Sequence, residues 1–129
     1  MEKIQKFEDL EIFQRARELC KYIYRITNTE PFKSDYRFVQ QIRAAAGSIM
    51  DNIAEGYERN GNKEFVNFLY IAKGLCGEVR SQLLRANDVD YIDDKVFNQL
   101  YNDVLIIGRK IYNLAQTIKQ KGNPGSKYT

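Results

Sequence analysis

Few side chains in this 129-residue sequence are of a type suited to chemistry. Glu55 and Glu78 are carboxylates set in apolar-patterned segments, Ser48 is a hydroxyl one turn-pair before Glu55, and Cys20 and Cys76 are the two thiols. Two carboxylates can divide acid and base roles or hold a metal, and a serine or cysteine becomes a nucleophile when a base stands beside it. The base is missing, because the sequence has no histidine. That removes Ser-His and Cys-His pairs and the commonest metal ligand. Di-metal carboxylate sites in helical bundles rely on Glu-x-x-His pairs, and Glu55 with Glu78 supplies too few inward ligands. The glycines fall inside helical segments or in the 56–61 turn region, without the Gly-Lys-Ser/Thr ending of a phosphate loop. The two cysteines lie 56 positions apart on apolar faces and read as reduced core thiols. Neither a catalytic centre nor a cofactor nor a metal site is expected.

The elements that carry these residues are four helices. The first spans about Glu8 to Asn28, with Leu10, Phe13, Ala16, Leu19, Cys20, Ile23, Tyr24 and Thr27 recurring at three- and four-residue steps. Pro31 stops it, since the residue before a proline is pushed out of helical conformation. The second starts at Ser34 or Asp35 as N-cap and runs to about Arg59, its stripe made of Phe38, Val39, Ile42, Ala46, Ile49, Met50, Ile53 and Tyr57. Asn60-Gly61 makes a turn. Asn62 is expected to cap the third helix, about Lys63 to Asn87, and Asp93 the fourth, about Asp94 to Lys121. Nothing alternates at period two for long enough to make a strand. Short connections between long amphipathic helices give an all-α, antiparallel up-down-up-down four-helix bundle over residues 1–121, with 122–129 as a flexible C-terminal tail.

Beside each apolar stripe runs a polar flank. Gln41, Ser48, Asn52, Glu55 and Arg59 fall on one edge of the second helix, and Asn67, Gly74, Glu78, Gln82 and Arg85 on one edge of the third. A solvated edge with i,i+4 contacts is one reading. The other is a partly buried polar seam between these helices or between subunits, involving Ser48, Asn52, Glu55, Arg59, Gly74 and Glu78. Mid-helix Gly74 and Gly77 each cost about 1 kcal/mol relative to alanine, a loss that makes sense where another backbone comes close.

The net charge is +3, and the surplus lies in the second half; after Asp103 no acid follows, while Arg109, Lys110, Lys119, Lys121 and Lys127 do. Cations near a helix C-terminus complement its dipole; alternatively Arg80, Arg85, Arg109, Lys110 and Lys119 form a surface that contacts phosphates. The nine tyrosines fall mainly at core or flank spacing, which favours packing over base stacking. Met1 to Lys6 has no apolar secretory core, no lipidation box is present, and no apolar run approaches the roughly 18–20 residues that span a bilayer. A cytoplasmic protein without membrane contact is expected.

The string from Gln41-Ile42-Arg43 through Ser48-Ile49-Met50-Asp51-Asn52-Ile53-Ala54-Glu55-Gly56, with Arg59, Glu64-Phe65 and Phe68-Leu69, closely resembles the signature of the bacterial 23S rRNA intervening-sequence proteins, also called S23 ribosomal proteins. Phe7-Glu8-Asp9-Leu10, Ile71-Ala72-Lys73-Gly74 with Glu78, and Tyr91-Ile92 extend the resemblance to about Lys121. One departure is Gly74-Leu75, where the family usually has Gly-Ser, so a hydrogen bond from that serine is missing here. The resemblance implies an antiparallel four-helix bundle assembled as a homopentamer, with no established catalysis. It further implies that some members are encoded within 23S rRNA genes. Relatives serve diversity-generating retroelements, where a basic surface is thought to meet nucleic acid and a reverse transcriptase. Two functions then compete: an oligomeric binder of RNA or DNA, and a scaffold for protein partners that binds no nucleic acid.

Overall fold

The computed structural model describes Ile4 and residues 6–121. It contains α1 (Glu11–Thr27), α2 (Tyr36–Glu58), α3 (Asn62–Asp88) and α4 (Asp94–Lys121), and no strand among the described residues. The tail expected at 122–129 lies outside them. Each helix packs on its sequence neighbour, and α4 closes the ring against α1 through the thinnest of the four joints. This is the up-down-up-down bundle that the stripes require.

The core forms where the stripes meet. Ile23, Ile42, Ile49, Ile53, Phe65, Leu69, Leu83 and Ile111 have no exposed surface, and burying each such side chain stabilises the fold by roughly 1.5–3 kcal/mol. Asp35 caps α2 by accepting the Phe38 N–H at 3.3 Å, and Asp93 caps α4 by accepting that of Val96 at 2.8 Å.

Three local expectations are corrected. Residues 7–9 form a separate 3-10 turn, because Leu10 is extended (φ −71°, ψ 132°) and drops its side chain into the core, so α1 begins at Glu11. Asn62 lies inside α3, and Gly61 occupies the N-cap with no side-chain bond. Tyr24 leaves the core face at 53% exposure, and the Arg43 guanidinium of α2 sits 4.3 Å from its ring centroid. Arg43 also donates from Nε to the buried Thr27 hydroxyl at 2.9 Å, so one arginine ties α1 to α2 by two contacts.

The two loops at one end of the bundle are joined. Asp90 takes the left-handed conformation (φ 62°), and the Tyr91 N–H donates to the Ala86 carbonyl at 2.8 Å, a Schellman ending for α3. Tyr91 stacks against Phe32 at 5.0 Å, and its hydroxyl donates to Asp35 at 2.9 Å. The α2 cap and the α3–α4 turn therefore hold one another.

Two substitutions test this packing. Ile53→Asp places an unpaired charge in the core and is expected to abolish the cooperative thermal transition followed by circular dichroism. A Cβ at Gly56 would lie 2.5 Å from the Phe68 Cβ and 3.1 Å from a Phe65 ring carbon, so Gly56→Ala is expected to destabilise by about 1–3 kcal/mol in urea unfolding; an unchanged midpoint would contradict this α2–α3 contact.

Candidate functional site

The polar flanks of α2 and α3 meet as an open groove rather than a sealed seam. Gln41, Ala44, Ser48, Glu78, Gln82 and Arg85 border a cavity of about 500 Å³. Asn52 donates to the Ser48 carbonyl at 2.8 Å, within its own helix. Glu55 pairs with Arg59 at 3.1 Å, also within α2, with both side chains about half exposed. Arg59 reaches α3 at the Phe68 ring, 5.2 Å from its centroid. Among the described residues Glu78 makes no ion pair, and it stays exposed. Gln82 is the exception to this openness: it is 6% exposed and its Oε1 has no hydrogen-bond partner. Gly74 does not line this groove but borders the one between α3 and α4.

The five cations singled out from the sequence separate onto three faces. Lys110 lies on the α1/α4 edge, 3.2 Å from Glu11, which Arg15 also holds at 2.8 Å. Hydrogen bonds from Arg15 and then Lys110 keep the Glu11 carboxyl below the ordinary range. Arg85 faces α2, its guanidinium 4.5 Å from the Phe38 centroid. Arg80, Arg109 and Lys119 share the α3/α4 face, where the structure adds Lys73. Lys73 stands seven residues before Arg80, two helical turns along the same edge, a spacing that could have marked it in the sequence.

Lys73, Arg80 and Arg109 surround a groove of about 610 Å³ between α3 and α4, with Gly74, Gly77, Cys76 and Gly108 among its lining and Tyr112 on the α4 side. Among the described residues no carboxylate lines it. The Arg80 Nε is buried without a hydrogen-bond partner. Glycine has a specific use here. A Cβ added at Gly108 would rest 3.6 Å from the Cys76 Cβ, whereas Cβ atoms at Gly74 and Gly77 would meet nothing within 4 Å. No contact among the described residues demands glycine at 74 or 77; their effect is to leave the groove open above the helix backbone. Farther along the same face, Lys119 and Lys63 flank Tyr70 and a second groove of about 460 Å³.

The arrangement can attract anions, and the described residues lining the groove include neither carboxylate nor histidine. Burial holds the thiol beneath the groove in its protonated form, pushing Cys76 up to about 12 from 9.0 against a smaller opposing pull from Arg80 and Lys73. Burial likewise raises Cys20 to about 11. Among the described residues no group of three carboxylates or thiols converges to hold a metal ion. No helix among the described residues is long and apolar enough to cross a membrane.

Comparison with known proteins gives one family and one fold. The family model described as 23S rRNA-intervening sequence protein matches residues 8–113. A crystal structure of a protein with unknown function from the S23 ribosomal protein family of Bacteroides thetaiotaomicron VPI-5482 is similar, with a TM-score of 0.74 and 21% identity. The match covers 81% of this chain and 97% of that one. No curated protein matches the chain.

Two measurements test the site's physical description. Glu55→Ala is expected to change unfolding stability by less than about 1 kcal/mol, as an exposed pair should; a larger loss would mean that Glu55 has a buried partner in the assembled protein. Both thiols are expected to alkylate slowly at pH 8 in the native protein and fast in urea. Because burial raises their pKa, their contribution to stability is fully present below 9.0 and is lost as pH climbs toward 11 and 12.

Proposed function

Since the chain belongs to the 23S rRNA-intervening sequence protein family, we propose that it acts without catalysis, as a cytoplasmic, oligomeric four-helix bundle that holds nucleic acid by its phosphates. The α3/α4 groove carries this reading: Lys73, Arg80 and Arg109 surround it, and no carboxylate among the described residues lines it. A cluster of one sign in a concave site raises the local concentration of polyanions. Each phosphate it neutralises releases counterions, which gives affinity without sequence preference.

Oligomerisation strengthens the attraction. A chain of net charge +3 repeated in the five-membered ring that the sequence resemblance implies would carry about +15. Exposed Gly74, with no neighbour within 4 Å of an added Cβ, is then free for approach by a second chain or by the ligand. A protein scaffold is the competing reading, and Ile71 and Leu84 on α3, 50% and 46% exposed, would serve it by offering apolar contact. A reverse transcriptase is the kind of partner the resemblance points to.

A fluorescence anisotropy titration with a labelled oligonucleotide at two salt concentrations separates the two. Binding at low salt is expected, with log affinity falling linearly in log salt, and Lys73→Glu with Arg109→Glu is expected to weaken it by more than about tenfold. Absence of binding at low salt would leave the scaffold. Binding indifferent to salt would contradict phosphate contacts. Light scattering should give the mass of five chains; a monomer at micromolar concentration would remove the ring.

A further inference from the structure

The α3/α4 face carries a ladder in which each rung joins a cation on one helix to a tyrosine on the other. Lys119 lies 5.7 Å from the Tyr70 centroid, Lys73 lies 5.8 Å from that of Tyr112, and Arg80 lies 5.8 Å from that of Tyr101. The rungs follow the antiparallel register, residues 70, 73 and 80 of α3 meeting 119, 112 and 101 of α4. At 1.5 Å per residue they extend over roughly 15 Å of α3 and 27 Å of α4. Tyr112 is 44% exposed, and Tyr70 and Tyr101 are half-buried.

These contacts are near the outer limit for a cation over a ring, and the cations sit on long flexible stems. A phosphate oxygen offers each of them a charge-assisted hydrogen bond, which is stronger than an exposed cation–π contact. When the cation turns to the phosphate, the ring face it covered becomes free. A positively charged groove with open aromatic faces at intervals is the pattern that receives single strands, whose unpaired bases have faces to stack. A duplex has already stacked its bases on one another. The face presents two helices packed side by side. Arg80 lines the groove with its Nε buried; a single strand's phosphate lying in the groove can reach this side chain, whereas a stiff duplex resting on the two helices stays above it.

We infer that the α3/α4 face takes single-stranded nucleic acid in preference to duplex, with phosphates on Lys73, Arg80 and Lys119 and bases stacked on Tyr70, Tyr101 and Tyr112. The inference rests on the phosphate-binding reading above and adds the class of polymer. It also gives the tyrosines a second use besides packing, since the same ring that shields a cation in the free protein stacks a base in the complex.

The test is competition between a labelled mixed-sequence strand of about twelve nucleotides, as DNA and as RNA, and the same strand annealed to its complement, at one low salt concentration. The strand is expected to bind at least about tenfold more tightly than the duplex. Tyr112→Leu is expected to cost the strand about tenfold while leaving the salt slope unchanged, whereas Tyr112→Phe, which keeps the ring, retains affinity. Tyr24→Leu, at a tyrosine under Arg43 on the α1/α2 side, should leave affinity unchanged. Duplex binding as tight as the strand, or full strand affinity in Tyr112→Leu, would overturn the inference while the phosphate-binding reading stands. Failure of both polymers to bind would overturn both.

Discussion

Three cations held around one groove with no carboxylate among its described lining residues repel one another, and the fold has to contain that repulsion. It does so with tyrosine rings from the facing helix, whose negative faces lie under Lys73 and Arg80. The partnership is weaker than an ion pair, so the cations are stabilised without being neutralised. Contrast Lys110 on the other edge of α4, which shares the Glu11 carboxylate with Arg15 in a three-membered cluster. One helix thus presents two edges of different electrostatic character: one where a carboxylate partners its cation as it closes the bundle, the other where no carboxylate among the described residues lines the groove.

The groove exists because of residues that are not charged. Cys76 and Gly108 meet across the α3/α4 line at a distance that a small side chain there would just fill, and Gly74 and Gly77 withhold side chains from the space above it. Glycine in a helix interior is destabilising, and the core must offset that loss. The stripe of isoleucines and leucines does so, with Ile23, Ile42, Ile49, Ile53, Leu69, Leu83 and Ile111 fully buried along the bundle axis. Packing energy from the centre of the bundle therefore supports an open surface at its edge.

The helices and their order were legible from sequence because burial in a bundle acts through a single period, and Ile42, Ile49, Ile53, Leu69, Val104, Ile107 and Ile111 follow it. Caps were legible where an aspartate could accept a backbone N–H, as at Asp35 and Asp93, and not at Gly61, where the turn geometry left Asn62 inside the helix. Tyr24 lies at the edge of its stripe, about a quarter turn from the buried face of Ala16, Leu19 and Ile23, and that Arg43 from α2 meets its ring there is information no periodicity within α1 carries. The candidate site was half legible for the same reason. Arg80, Arg109 and Lys119 could be chosen as basic residues, but that Lys110 meets Glu11 and Arg85 meets Phe38 depends on neighbours from other helices. The family string around Ser48 to Gly56 marked the fold more than the site, since Glu55 and Arg59 bond within their own helix.

Hydrogen–deuterium exchange read peptide by peptide, with and without a single-stranded oligonucleotide at low salt, tests most directly that the α3/α4 groove is the working surface. Slower exchange concentrated in residues 70–80 and 101–119, with α1 and α2 unchanged, is the expected result. Protection confined to α1 or α2 in the presence of bound oligonucleotide would contradict it.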